Sequence, residues 1–366
     1  MYFSAHFVKS FFKHIFPTLR KTQVTNLSYG VYGQIQSQSG LISEIVRKVP
    51  GAKKHRHRFK RFFRFLSNPR VKPQALRLFW IRWCISVFNR EAVVKVAIDW
   101  TSLPGNIQCL MIAIPYHGRA IPILWQLVKY EDIKDSQNRI EERLVARLVT
   151  LIKESNPSKK ILLTADRGFG RATFIQLLLK KNMLFVLRVK GDVMIKTSIG
   201  KSLLLRKIGK TLSPNTPVWY ENISYRNDGI VTKVNLAAVV APQEDKEADP
   251  WFLVTNLRKA STTIKRYHER FQIEEYFKDG KHQLGIADIQ TRNLMRIRRM
   301  IFISCISHSL CLLVGTVADR LKNVKDTLIS GGKKAASRVW FALKIIQEKL
   351  LGRVFWTRVY RKGVGP

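Results

Sequence analysis

Residues 92–103 read AVVKVAIDWTSL, residues 108–118 QCLMIAIPYHG and residues 119–128 RAIPILWQLV. These are three β-rich runs, and the breakers Pro104-Gly105 and His117-Gly118 between them predict an antiparallel meander. An amphipathic helix follows at about Arg139 to Lys153, with Ile140, Leu144, Val145, Leu148, Leu151 and Ile152 on one stripe. KKILLTADRGFG (159–170) then reads as a buried strand ending in a polar turn. Phe174 to Lys181 reads as a short helix and MLFVLRVKGD (183–192) as another strand.

Three antiparallel strands, a helix, a strand, a helix and a strand form the element order of the ribonuclease H-like fold, an α/β (α+β) class. In such a sheet the first and fourth strands lie side by side, so polar residues at their ends converge on one edge. Asp99 stands at the end of the first strand and Asp166 at the end of the fourth. Each follows an apolar run, AVVKVAI and ILLTA, where a carboxylate is costly unless something pairs with it. Residues 191–257 (PVWYENISY, IVTKVNLAAVVA, WFLVTNL and a polar loop QEDKEADP) read as a β-rich insertion in a catalytic domain spanning 91–285.

Outward from this core the texture is basic and helical. Residues 1–40 are polar and aromatic with poor periodicity and read as an N-terminal arm. LISEIVRKV, HRHRFKRFFRFLSN and PQALRLFWIRWCISVF, parted by Pro50-Gly51 and by Asn68-Pro69 with Pro73, predict three short helices in a basic DNA-binding domain over 41–90. Residues 286–366 read as a basic helical C-terminal region. Met300 to Ala318 approaches membrane-spanning length, but Ser304, Ser307, His308 and Ser309 within it favour a buried helix, so no membrane is expected.

The 366 residues carry 65 Lys and Arg against 25 Asp and Glu, a net charge of +40. That is far beyond what solubility requires, so a polyanion is the expected partner and small-molecule metabolism is disfavoured. The excess divides as +17 over 1–90, +11 over 91–285 and +12 over 286–366, with nearly all carboxylates in the middle. Basic flanks around an acid-bearing centre imply grip outside and chemistry inside. Four cysteines without a CxxC pair fit neither a zinc site nor a disulfide scaffold and point to a reducing, cytoplasmic compartment. The start of the chain lacks the continuous apolar core of a secretory signal.

The stretch TTIKRYHERFQIEEYFKDGKHQLG (262–285) predicts one helix. At about 100° per residue, Tyr267, Arg270, Glu274 and Lys281 fall within about 60° of one another, provided the helix survives Gly280. Glu275 and Asp279 lie further round. Alone, this is also the pattern of an ion-pair-laced surface helix. With Asp99 and Asp166 it becomes a set of three carboxylates able to hold two Mg²⁺ ions, or Mn²⁺ in their place, for in-line phosphoryl transfer.

Asp99 in AIDWT, Asp166 in TADRGFG, and Tyr-x2-Arg-x3-Glu-x6-Lys at Tyr267, Arg270, Glu274 and Lys281 resemble the signature of the DDE transposases of bacterial insertion sequences, specifically insertion-sequence family four. The resemblance implies that Asp99, Asp166 and Glu274 form a catalytic, metal-binding triad. It implies that Arg270 and Lys281 contact phosphates at the transposon end, with Tyr267 packing on the same backbone. Trp251 is placed like an aromatic residue that stacks near a flipped base in relatives that cut through a hairpin, although a core tryptophan looks the same in sequence. Arg188 and Lys190 are further candidate backbone contacts, or simply surface charge. The function implied is cut-and-paste DNA transposition by a homodimer on double-stranded DNA (terminal inverted repeats and target), in a nucleoid-associated setting. The alternative is a catalytically inactive, transposase-derived DNA-binding regulator. If the charge is the grip, log affinity for duplex DNA should fall steeply against log salt, by about 0.9 per phosphate neutralised. A shallow slope in an anisotropy titration would refute that use of the charge.

Overall fold

In the computed structural model, which describes residues 2–364 apart from 135, 215, 228, 243–248 and 322–336, the chain begins with two packed helices, α1 (Ala5–Ile15) and α2 (Lys21–Ser37). The expectation of an arm over residues 1–40 is therefore corrected. Ser4 caps α1 by accepting from the Phe7 N–H (3.1 Å), and Phe7, Val8, Phe11, Phe12 and Ile15 form a buried stripe. In α2 the buried face is partly polar and small. Gly30 lies against Ile303 and Phe62, and Gly33 against the Ile45 carbonyl, so neither position has room for a side chain. Gln34 donates to the Leu284 carbonyl (2.9 Å) and to Ser304 Oγ (2.7 Å) and accepts from Ser307 Oγ (3.0 Å). A buried amide satisfied on both ends looks, in sequence, like a residue of a polar linker.

The three expected basic helices are present as α3 (Ile42–Lys48), α4 (His55–Ser67) and α5 (Pro73–Phe88). Helix α4 buries Phe62, Phe65 and Leu66 and exposes Arg56, Lys60, Arg61 and Arg64. Helix α5 starts on Pro73, favoured in the first turn because its missing N–H has no partner there anyway. Its Trp80 indole donates to the Pro122 carbonyl (2.8 Å) and Arg77 to the Trp125 carbonyl (2.8 Å). Apolar side chains of these helices and of the sheet form one continuous core.

That sheet has ten strands in the order β3-β2-β1-β4-β5-β10-β9-β8-β6-β7. Its strands are β1 (Val93–Leu103), β2 (Ile107–Tyr116), β3 (Arg119–Lys129), β4 (Lys160–Ala165), β5 (Leu184–Val189), β6 (Met194–Lys196), β7 (Ser202–Leu204), β8 (Val218–Asn227), β9 (Ile230–Val239) and β10 (Trp251–Thr255). The meander β1–β2–β3 is antiparallel as expected, β1 pairs with β4 in parallel, and β4 pairs with β5 in parallel. The crossovers are α6 (Gln137–Ser155) and α7 (Ala172–Lys180), which connect parallel strands as helices usually do. The segment 191–257 contains the expected strands and a short α8 (Leu205–Gly209), but it is not a separate β unit. Strand β10 pairs antiparallel with β5, so the segment prolongs the central sheet. The chain is thus a mixed α/β protein.

After β10 come α9 (Ala260–Glu269), α10 (Gln272–Gln283), α11 (Leu294–Ala318), α12 (Arg338–Gln347) and α13 (Arg353–Val364). By length and composition α11 could cross a membrane, yet its most apolar window is entirely buried within the protein. It is enclosed by α2, α12 and their neighbours. Arg299, 2% exposed on α11, donates to the carbonyls of Leu66 (2.6 Å), Val71 (2.8 Å) and Asn68, closing the C-terminal end of α4.

Gly33→Ala tests the close approach of α2 and α3. A Cβ there would stand 2.4 Å from the Ile45 carbonyl oxygen, which is backbone and cannot swing aside. The clash should outweigh the gain of about 1 kcal/mol in helix propensity and destabilise the protein by about 1–3 kcal/mol. A melting temperature equal to or above that of the parent would contradict the packing.

Candidate active site

Strands β1 and β4 separate at the site. Their last parallel pair is Ile98 with Ala165; beyond it β1 runs on to Leu103, paired only with β2, while β4 stops. Asp99 is therefore not at a strand end, as the sequence reading had it, but is the first residue past the β1–β4 ladder. Asp166 is the first residue past β4. Side chains at matching positions of adjacent parallel strands share a face about 5 Å apart. Asp166 Oδ1 accepts from the Gly168 N–H (2.9 Å), tying the carboxylate into the 3-10 turn Arg167–Phe169. Asp99 Oδ1 accepts from the Trp100 N–H (2.8 Å).

The expected single helix over 262–285 is broken at Arg270 and Phe271. There the backbone tightens to i→i−3 bonds, with Arg270 N–H to the Tyr267 carbonyl (2.9 Å), Ile273 N–H to the Arg270 carbonyl (3.0 Å) and Glu274 N–H to the Phe271 carbonyl (3.1 Å). Beyond the break α10 passes through Gly280, whose bare Cα lets Ile286 pack close. At this tightened turn Arg270 is buried, 5% exposed. Its Nη1 lies 3.1 Å from Asp99 Oδ2 and its Nη2 2.7 Å from Glu274 Oε1, so one guanidinium bridges two carboxylates. Burial works against the charge of Arg270, but Tyr267, Asp99, Glu274 and Asp166 outweigh it and hold the group charged. Burial also dominates at Asp99. Opposed by Arg270 and helped by the charges of Asp166 and Glu274, it pushes that carboxyl up to about 7.

Asp99, Asp166 and Glu274 line one cavity of about 690 Å³, together with Arg167, Arg188, Trp251, His268, Arg270 and Lys278. The other acids of α10 are engaged in anchoring. Asp279 pairs with Arg119 of β3 (2.7 Å) and faces His308 of α11 (3.5 Å), and Glu275 pairs with Arg119 (3.3 Å) and Lys278. Glu275 also lines the cavity, but Arg119 and Lys278 hold its carboxylate, whereas Glu274, 41% exposed, shares Arg270 with Asp99.

The remaining sequence candidates separate. Arg188, on β5, lines the cavity and donates to the Asp249 carbonyl (3.3 Å). Lys190 is exposed just beyond β5 and is not among the lining residues. Lys281 lies two turns past Glu274 and lines a different, small cleft with Thr101, Leu103 and Phe277. Tyr267 has no exposed surface and packs T-shaped on Trp251 (4.7 Å), with Arg270 over its ring (5.6 Å). Trp251 is likewise fully buried, stacked on Phe271 (5.7 Å), and forms part of the cavity wall from strand β10. Both rings thus support the kinked helix from below. Sequence reasoning did not single out Arg167, His268 or Lys278; only the adjacency of Arg167 to Asp166 and of Lys278 to the motif could have suggested them.

The three acids offer oxygen donors only, the chemistry a hard divalent cation takes. Among the described residues, no three acidic, histidine or cysteine side chains stand together as a ready cation cage. Arg270 holds the place between Asp99 and Glu274, so a cation shared by those two requires the guanidinium to turn aside.

A mixed α/β sheet whose acids gather where two parallel strands part is the architecture of an enzyme cleft. The family described as transposase DDE domain matches residues 94–310, more than half of the chain, from β1 through most of α11. The chain belongs to this family, in general terms a nuclease or transposase whose partner is DNA. No curated protein is similar enough to match it.

In the absence of divalent cations, Asp99 makes stability pH-dependent. Its folded-state carboxyl sits at about 7 against an ordinary 3.8, so the native protein holds a proton that the unfolded chain releases. Stability should fall as pH rises from about 4 to about 7, by on the order of 1.4 kcal/mol per unit from this residue, and level off above. Asp99→Asn should flatten that window in chelator, as measured by denaturant unfolding. An unchanged slope in the variant would exclude Asp99 as its source.

Proposed function

We propose that the chain is a metal-dependent DNA transposase with a ribonuclease H-like catalytic core, similar to insertion-sequence family four, which cleaves transposon ends and joins them to target DNA. The observation that carries this is the convergence of Asp99, Asp166 and Glu274 on one cavity, two from adjacent parallel strands and one from the helix packed over them. The strand order 3-2-1-4-5 of the first half of the sheet supports the fold reading. Asp99, Asp166 and Glu274 are the residues that would hold two Mg²⁺ ions, or Mn²⁺ as substitute. Such ions supply charge for the attacking and leaving oxygens of an in-line displacement.

The chain's own groups do the positioning. Arg167, Arg188 and Lys278 present cations around the cavity mouth and walls, where they can hold a phosphodiester in line. Arg270 can exchange its carboxylates for a backbone phosphate, the role the motif assigns it. Lys190 and Lys281, set off from the cavity, suit DNA extending beyond the scissile bond. Tyr267 and Trp251 serve the same contact by fixing the kink that carries Arg270. The exposed basic face of α4 provides grip away from the chemistry. Cleavage and joining at two ends call for at least a dimer on DNA.

The test uses linear duplex carrying the ends of the element that encodes the chain, with Mg²⁺ or Mn²⁺. Alanine at Asp99, Asp166 or Glu274 should cut strand cleavage by at least about a hundredfold while end binding stays within a few-fold of the parent. Cleavage persisting in all three variants would overturn the triad. Binding without cleavage by the parent itself would favour a noncatalytic regulator.

A further inference from the structure

Behind the two strand acids sits a carboxylate that the chemistry described above does not use. Glu141 lies on α6 with no exposed surface. Its Oε1 accepts from the indole N–H of Trp100 (2.8 Å) and from Gln137 Nε2 (3.0 Å), and its Oε2 pairs with Arg171 Nη1 (2.6 Å). Trp100 is the residue after Asp99, and its own N–H donates to the Asp99 carboxylate (2.8 Å). Arg171 closes the turn that Asp166 opens, its N–H donating to the Phe169 carbonyl (2.9 Å), and its guanidinium lies over Phe174 of α7 (5.0 Å). One buried carboxylate therefore grips the residue next to the first acid with one oxygen and the far end of the second acid's turn with the other.

Stability alone does not account for this arrangement. Desolvating a carboxylate and a guanidinium costs about as much as their attraction returns, and apolar replacements of similar volume are often as stable or more so. An indole hydrogen bond on one oxygen and a close ion pair on the other do what apolar packing cannot: they limit the distance between the two segments they join. Above Ile98 and Ala165 the β1–β4 ladder no longer does so. We infer that Glu141 is a positioning residue, which acts through Trp100 and Arg171 to hold Asp99 and Asp166 at the separation a shared divalent cation needs. The inference rests on the metal-binding reading of the acids.

Mn²⁺ binding to the full chain without DNA, followed by calorimetry or by electron paramagnetic resonance, reads this directly. Glu141→Gln keeps an acceptor for Trp100 but loses the ion pair, and should weaken Mn²⁺ about 10- to 100-fold, the usual effect of an outer-shell partner. Duplex binding should stay unchanged. Trp100→Phe, which removes the indole donor but keeps a ring, should weaken Mn²⁺ in the same direction. The variant Glu141→Leu with Arg171→Met removes both charges together, so that neither is left buried without its partner. Its melting temperature should match or exceed that of the parent while Mn²⁺ binding stays weak. Parent-like Mn²⁺ affinity in that folded double variant, or in Glu141→Gln, would overturn the positioning role. Parent protein that binds no Mn²⁺, or binding indifferent to Asp99→Asn, would instead sink the metal-site reading, and this inference with it.

Discussion

Strand β4 ends one residue before the level at which β1 carries Asp99, and the site depends on that mismatch. Where a ladder stops, backbone groups and side chains lose their lateral partner. Asp99 is left buried beside Asp166 with the sheet no longer insulating one from the other. Two acids in that position repel, so a cation must be near them. In this structure Arg270 is that cation, bridging Asp99 to Glu274 at 3.1 and 2.7 Å. At the break between α9 and α10, Arg270 packs over Tyr267, which in turn packs on Trp251.

The rest of the fold holds the edges of this arrangement still. Asp279 and Glu275 clamp α10 to β3 through Arg119, and Asp279 faces His308 of α11 at 3.5 Å. Helix α11 is apolar on all sides over residues 300–318 because that stretch is buried in protein, and its Ser304 and Ser307 are matched by Gln34 of α2. The N-terminal helices thereby share a core with the sheet. A basic helical surface built on that core keeps a fixed orientation toward the cleft, which a tethered arm would not.

What was legible in the sequence follows from what periodicity can report. Strands β1 to β5 and both acids beyond the β1–β4 ladder could be read because apolar runs end abruptly at Asp99 and Asp166. Glu274 could be read from helical phase, since Glu275 and Asp279 fall on the side that meets Arg119. Glu141 could not. It occupies the same face of α6 as Leu144, Val145 and Leu148, but a charged letter in a buried phase is scored as surface. Helix α2 hides in the same way, its buried face carrying Ser28, Gly30, Gly33 and Gln34, whereas α1 shows its stripe of Phe7, Phe11 and Phe12 openly. The break at Arg270 was invisible because nothing in YHERFQIEE forbids a helix; the tertiary pull on Arg270 decides it.

Burial also changes the meaning of the +40 charge. Arg299 closes the end of α4, Arg77 is spent on the Trp125 carbonyl, and Arg171 answers Glu141. Each is a cation in the total that cannot reach a phosphate without breaking the structure that holds it. The groups free to meet a polyanion are those such as Arg56, Lys60 and Arg64 on the outer face of α4, opposite the buried Phe62 and Phe65. Counterion release counts only cations that contact phosphate. The charge available to a polyanion is therefore smaller than the formal one.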